Sequence, residues 1–142
     1  MAKQRELKMS IIKNVLLLIM LSLFLVACKS TPILNIDNDP FNAKSNITMD
    51  EVTAGIKRAG NGLGWRMAEK KPGLIEGTLF LRTHMAKVDI TYNTKTYSIH
   101  YKDSTNLDHQ KSSASYDGQE VIHSNYNGWV QNLSNAIRQQ VY

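Results

Sequence analysis

From His84 to Tyr101 the residues alternate in a way that suits a β-hairpin and little else. His84, Ala86, Val88, Ile90 and Tyr92 share one parity, while Lys87, Asp89 and Thr91 share the other. After Asn93-Thr94-Lys95-Thr96, the residues Tyr97, Ile99 and Tyr101 resume the pattern. Pairing Tyr92 with Tyr97 sets Ile90 against Ile99 and Val88 against Tyr101, so the apolar members meet on one face. The same register places Asp89 opposite His100 on the other face. A slip of one residue would mix the two faces, and burial of one of them forbids that. Asp89 and His100 are therefore expected to form a cross-strand pair.

Around this hairpin the chain reads as α+β. Thr48-Met49-Asp50-Glu51 has the spacing of a capping box, with Val52, Ile56 and Ala59 following at helical intervals, which predicts a helix over 48–60. Gly60-Asn61-Gly62-Leu63-Gly64 closes that helix. A phosphate-binding loop would open one, so this stretch reads as a cap and turn. Trp65 to Lys70 is a predicted strand and Lys71-Pro72-Gly73 a turn. Leu74 to Tyr92 carries no strong turn signal and reads either as one long bent strand or as two strands broken near Arg82-Thr83. From Asp103 to about Glu120 the composition is Ser, Asp, Asn, Gln and Gly, which predicts a long irregular loop with a turn at Tyr116-Asp117-Gly118. Ile122, Tyr126, Trp129, Val130, Leu133, Ile137 and Val141 form one stripe of a second helix, from about His123 to Gln140. The expected architecture is a two-layer sandwich, a three- to four-stranded antiparallel sheet with both helices on one face.

The first 27 residues belong to a different kind of segment. Lys3, Arg5, Lys8 and Lys13 precede an uncharged apolar run of 12 residues, Val15 to Val26, and small residues stand just before Cys28. That order is a secretory signal, and 12 residues fall short of the roughly 20 that a membrane-spanning helix needs. Met9 is a second candidate start of translation. Cys28 is the only cysteine, so an exported chain cannot use it in an internal disulfide. Leu25-Val26-Ala27-Cys28 resembles a bacterial lipobox, which implies cleavage before Cys28 and acylation of its thiol and new amine. Two or three acyl chains hold a protein on a bilayer where one is marginal. Lys29 rather than Asp follows the cysteine, and in lipoproteins of this pattern that implies the outer membrane, on its periplasmic side. Residues 28–47 are expected to be the lipidated cysteine and a flexible tether, with Ile33, Leu34, Ile36 and Phe41 able to dock instead, and residues 48–142 the single domain.

Loss of the signal also changes the charge. The whole chain carries +5, but removing Lys3, Arg5, Lys8, Lys13 and Glu6 leaves 13 basic against 11 acidic residues, or +2. No basic stripe remains that would call for a nucleic-acid partner.

Chemistry-bearing motifs are sparse. His84, His100, His109 and His123 lack ligand spacing among themselves, so neither a metal nor another cofactor is expected. No Gly-x-Ser-x-Gly elbow occurs, Asp103-Ser104 near His100 is not a triad on spacing alone, and Glu69 and Glu76 flank a turn as solvated carboxylates do. Arg82 and His84 share parity on the long-strand reading, and with an aromatic they would line a pocket for an anionic or glycan ligand.

Several stretches together are similar to a family of short proteobacterial lipoproteins: Gly64-Trp65, Pro72-Gly73, Gly77-Thr78-Leu79, Arg82-x-His84-x-Ala86, Tyr97-Ser98-Ile99, Asp103-Ser104-x-Asn106-Leu107, and Ile122-His123-x-Asn125-Tyr126-Asn127-x-Trp129-Val130 with Asn132-Leu133. The resemblance spans about residues 48–140. It implies an envelope location and an α+β domain, carries over no catalytic residue, and marks Trp65, Arg82, His84, Asn106, Tyr126 and Trp129 as candidate ligand- or partner-binding positions. The leading expectation is a non-enzymatic binding or assembly module, held at the membrane by acyl chains on Cys28. Its partner would be an envelope protein, peptidoglycan or lipopolysaccharide. The competing expectation is an envelope enzyme or a metal- or anion-binding protein that uses His84 with Arg82.

Overall fold

The computed structural model describes residues 29–142; the stretch expected to be a signal, and Cys28, lie outside the described residues. The elements are β1 (Ser30–Pro32), β2 (Ile36–Pro40), α1 (Met49–Gly62), β3 (Trp65–Lys71), β4 (Leu74–Leu81), β5 (His84–Tyr92), β6 (Thr96–Thr105), a 3-10 turn (Ala114–Tyr116), β7 (Val121–His123) and α2 (Ser124–Gln140). Five strands form one antiparallel sheet in the order β2-β6-β5-β4-β3, and β1 pairs with β7 in a separate two-stranded ribbon. The α+β class holds, with more strands than the three or four expected.

The central hairpin has the register that its alternation demands. Tyr92 pairs with Tyr97, Ile90 with Ile99, Asp89 with His100 and Val88 with Tyr101. Beyond Val88 the register shifts, because Lys102 is an extra residue between Tyr101 and Asp103, which faces Lys87. Such a bulge turns two successive side chains to one side, here Lys102 and Asp103, away from the core. The stretch 74–92 is two strands, turning at Arg82-Thr83 with Arg82 in the left-handed region at φ 55. Arg82 and His84 therefore do not share a strand face. At the β3–β4 turn, proline fixes φ at Pro72, and Gly73 takes φ 81, a value that side chains resist.

α1 starts as its sequence requires. The Glu51 N–H donates to Thr48 Oγ1 at 3.3 Å, and the Thr48 N–H donates to Glu51 Oε2 at 2.8 Å. The bond from the Thr48 backbone holds the Glu51 carboxyl below its ordinary range. α1 and α2 lie on one face of the sheet. Val52, Ile56 and Ala59 of α1 and Tyr126, Val130, Leu133 and Ile137 of α2 meet Trp65, Ile75, Val88, Ile90, Tyr97 and Ile99 in one core. Each fully buried Ile or Leu there contributes roughly 1.5–3 kcal/mol.

The segment expected to be a tether is part of the domain. β2 completes the sheet edge beside β6, Phe41 is buried and stacks on Tyr97 with ring centroids 5.0 Å apart, and Ile33, Leu34 and Ile36 pack on the core. Asn127 holds the segment down, its Oδ1 accepting from the Leu34 N–H at 2.9 Å and its Nδ2 donating to the Pro32 carbonyl at 2.9 Å. The Ile33 N–H donates to the Glu120 carbonyl at 3.0 Å and the Phe41 N–H to the Lys95 carbonyl at 2.9 Å, backbone pairing that a solvated tether would not need.

Asp39 is the second fastening. Its Oδ2 accepts from the Tyr97 hydroxyl at 2.6 Å and from Arg138 Nη1 at 2.9 Å, while Ser134 Oγ lies 2.8 Å from the same phenol. Burial, and then the neighbouring Asp39, push the Tyr97 phenol up to about 12; burial raises Tyr126 as well. A neutral phenol kept neutral by folding contributes stability that is complete below the ordinary value of 10 and is lost as pH rises through about 12. In an alkaline titration, no more than four of the six tyrosines are expected to ionise before the helical circular dichroism collapses. Tyrosinate absorbance for five or six in the still-folded chain would contradict this.

The irregular loop after β6 is shorter than the composition suggests, since β6 runs to Thr105. Leu107 is buried in the core, Gln110 bridges to Val121, and the Tyr116 hydroxyl donates to the Ser30 carbonyl at 2.7 Å. The expected turn is present, with Asp117 at φ 58 and Gly118 at φ 80.

Candidate functional site

The six positions marked by the sequence do not converge. Trp65 is core, its ring lying over Gly77, where an added Cβ would meet Trp65 Cε3 at 3.3 Å. Tyr126 is fully buried and Trp129 is half-buried against the core. His84 and Asn106 do meet, at the turn between β4 and β5. His84 Nδ1 lies 2.6 Å from the Asn106 carbonyl, and Asn106 Nδ2 donates to the Thr83 carbonyl at 2.8 Å. A carbonyl only accepts, so the proton sits on Nδ1. The two side chains pin the β4–β5 turn to the end of β6. Arg82 is exposed on that turn and makes no side-chain hydrogen bond or ion pair among the described residues.

The remaining histidines are dispersed. His100 Nε2 donates to Asp37 Oδ1 at 2.6 Å, His109 Nε2 to Glu120 Oε1 at 2.6 Å, and His123 Nδ1 accepts from the Asn125 N–H at the start of α2. Among the described residues no three His, Cys, Asp or Glu side chains come together as a metal site. The expected Asp89–His100 pair shares a face but not a bond, because β2, unforeseen as a strand, brings Asp37 to His100 and the bulge brings Lys102 to Asp89.

Tyr126 carries the one buried side-chain polar atom without a partner among the described residues, its hydroxyl. Tyr101 stands edge-on to its ring at 5.6 Å but hydrogen-bonds Ser104 instead. An unpaired buried hydroxyl costs about 1–3 kcal/mol, so Tyr126→Phe is expected to stabilise the fold by about 1 kcal/mol. Urea unfolding measures it, and a loss of stability would mean that the hydroxyl has a partner.

The face of the sheet opposite the helices is polar and charged around Glu76, Asp89 and Lys102. Lys102 Nζ bridges Asp89 Oδ1 at 2.8 Å and Glu76 Oε2 at 2.9 Å, and Lys70 Nζ reaches Glu76 Oε1 at 3.3 Å. The bond from Lys102 holds the Glu76 carboxyl below its ordinary range, and the bond to Asp89 raises Lys102. Both charges are therefore kept at neutral pH, and the ladder loosens in acid, as Glu76 is protonated, or in strong base, as Lys102 loses its proton. Toward the β4–β5 turn the same face changes character: Arg66 lies over the Phe80 ring at 5.1 Å, with Met85 beside it in register. Sequence alternation alone gives the face, but the Lys102 bulge and the exposure of Phe80 carry no local signal.

An open pocket of about 500 Å³ is lined by Lys29, Ser30, Gln110, Ser113, Ser115, Tyr116 and Val121. No helix of the described residues is long and apolar enough to cross a membrane. Comparison with family models, with curated proteins and with solved structures finds no match to this chain.

Proposed function

We propose that this chain is a lipid-anchored envelope lipoprotein, held by acyl chains on Cys28 at the outer membrane and facing the periplasm, and that its domain is a non-enzymatic binding or assembly module. The observation that carries the reading is the position of Lys29. It is exposed, and the first strand of the described residues begins at the very next residue, Ser30. An acylated Cys28 would thus sit at the surface without drawing on any core residue. The resemblance to short proteobacterial lipoproteins supports the same location. The contact surface for an envelope protein, peptidoglycan or lipopolysaccharide is the open sheet face, whose charges are already fixed in place by the Lys102 ladder and need no ordering on contact. A metal-binding role for His84 is less well supported, because among the described residues no three His, Cys, Asp or Glu side chains come together.

Intact mass of the protein purified from membranes tests the anchor: the mature chain is expected to begin at an acylated Cys28 and to lose the adduct in Cys28→Ala. A free thiol at Cys28 would overturn it. Crosslinking from the open face, followed by recovery from membranes, tests the module. Recovery of nothing above the Cys28→Ala control would count against it.

A further inference from the structure

We infer that the end of the domain carrying the β4–β5 turn is a second membrane contact, with Phe80, Leu81 and Leu63 entering the headgroup region and Arg66, Arg82 and Lys29 meeting anionic phospholipid. The inference rests on the acylation of Cys28 proposed above. Three of the four large hydrophobic residues exposed on the described chain gather here: Phe80 at 57%, Leu81 at 46% and Leu63 at 43%. Phe80 and Leu81 end β4, and Leu63 precedes β3, whose first residue Trp65 pairs with Leu79. All three therefore lie at the same end of the sheet.

A short chain of bonds links that end to the anchor. The Ser124 N–H donates to the Lys29 carbonyl at 3.1 Å, the His123 N–H donates to the Leu107 carbonyl at 2.8 Å, and the neighbouring Asn106 is bonded to both His84 and Thr83. The opposite end of the sheet holds the Pro72-Gly73 and Asn93–Lys95 turns. Only Lys29 separates Cys28 from the first strand, which allows roughly 7 Å of slack. A domain so closely tethered cannot turn its far end to the bilayer, so what lies beside Lys29 must face lipid.

The chemistry of this end suits an interface. Exposed aliphatic and aromatic groups there bury in the acyl boundary, and cations gain from anionic headgroups. Arg82 is unpaired among the described residues, and Arg66 shields one side of Phe80 while its charge stays available. Asp103 and Asp108 are the acidic residues nearby; Asp103 faces Lys87 across the strands, leaving the end net cationic.

Because the thiol of Cys28 is consumed by acylation, a cysteine introduced elsewhere becomes the only free one. The test uses the acylated protein carrying Leu81→Cys or, at the far turn, Lys95→Cys, each labelled with a small fluorophore in vesicles of phosphatidylethanolamine and phosphatidylglycerol. The label at 81 is expected to be quenched by doxyl-lipids and at least threefold less accessible to iodide than the label at 95. Adding Arg82→Glu should reduce the quenching. Equal iodide access at both sites would overturn the inference, and so would a label at 81 shielded from iodide but untouched by doxyl-lipid, since that describes a protein cover or the chain's own apolar leader. Mass analysis of Cys28 in the same sample separates these outcomes from failure of the acylation itself: a second labelled thiol means that the anchor, not the contact, is absent.

Discussion

A chain that starts at Asn42 is expected not to fold, whereas one that starts at Lys29 is expected to unfold cooperatively. The difference is the segment that looks like a tether. Its removal takes away Phe41, and loss of a buried phenylalanine side chain alone costs about 3–5 kcal/mol. It also strips Ile33, Leu34 and Ile36 from the core edge and leaves Tyr97 and Arg138 without Asp39. The β6 backbone at Tyr97 and Ile99 loses its β2 partner. Together these losses rival the whole stability of a small domain, about 5–15 kcal/mol. Far-UV circular dichroism and urea titration of the two chains decide the matter. A transition in the shorter chain within about 1 kcal/mol of the longer would show that the segment contributes nothing.

Gly55→Leu is expected to be nearly as damaging. Gly55 is where α1 touches the end of α2: a Cβ placed there would lie 2.6 Å from Val141 Cγ2 and 2.9 Å from the Gln140 carbonyl oxygen. A methyl side chain could move, but the carbonyl is backbone and could yield only by shifting the end of α2. Alanine at this position gains roughly 1 kcal/mol of helix propensity against an overpacking cost of typically 1–3 kcal/mol. Gly55→Ala should therefore be net destabilising by about 1 kcal/mol, and Gly55→Leu by more than 3. Gly62, which meets nothing within 4 Å, is the control, and alanine there should be neutral or better. If Gly55→Ala raised the urea midpoint as Gly62→Ala does, the close approach of the two helices would be wrong.

The parts of this fold that can be read locally are those whose signal is local. The Thr48–Glu51 cap, the stripe of α2 and the register from Val88 to Tyr92 each follow from a period or a spacing within a few residues. The strands at 30–40 escape such reading for a physical reason. Their apolar residues follow no period, Pro32 and Pro40 interrupt them, and their fastenings come from Asn127 and Arg138, nearly a hundred residues away. The break at Arg82-Thr83 is one of two readings that the sequence leaves open, because neither residue is a turn former and the turn is held from outside by Asn106. Of the candidate site, the pairing of His84 with Asn106 joins two marked positions, yet its role is to fix a turn. Trp65 and Tyr126 are large because the core needs volume there. The exposed Phe80 and Leu81 look like ordinary strand interior until β4 is seen to end there.

The two outer strands of the sheet have a consequence for molecules held close together in one plane. β3 and β2 each offer unpaired backbone groups along one side, the template on which neighbouring copies fuse into a continuous sheet. β3 carries Arg66, Glu69, Lys70 and Lys71 within its seven residues, so a second β3 brought alongside would meet charge at more than half of its positions. β2 is five residues long, breaks register between Ile36 and Asp39, and ends in Pro40, which has no N–H to give. Neither side accepts a regular strand, so crowded copies remain separate molecules and do not zip into fibrils.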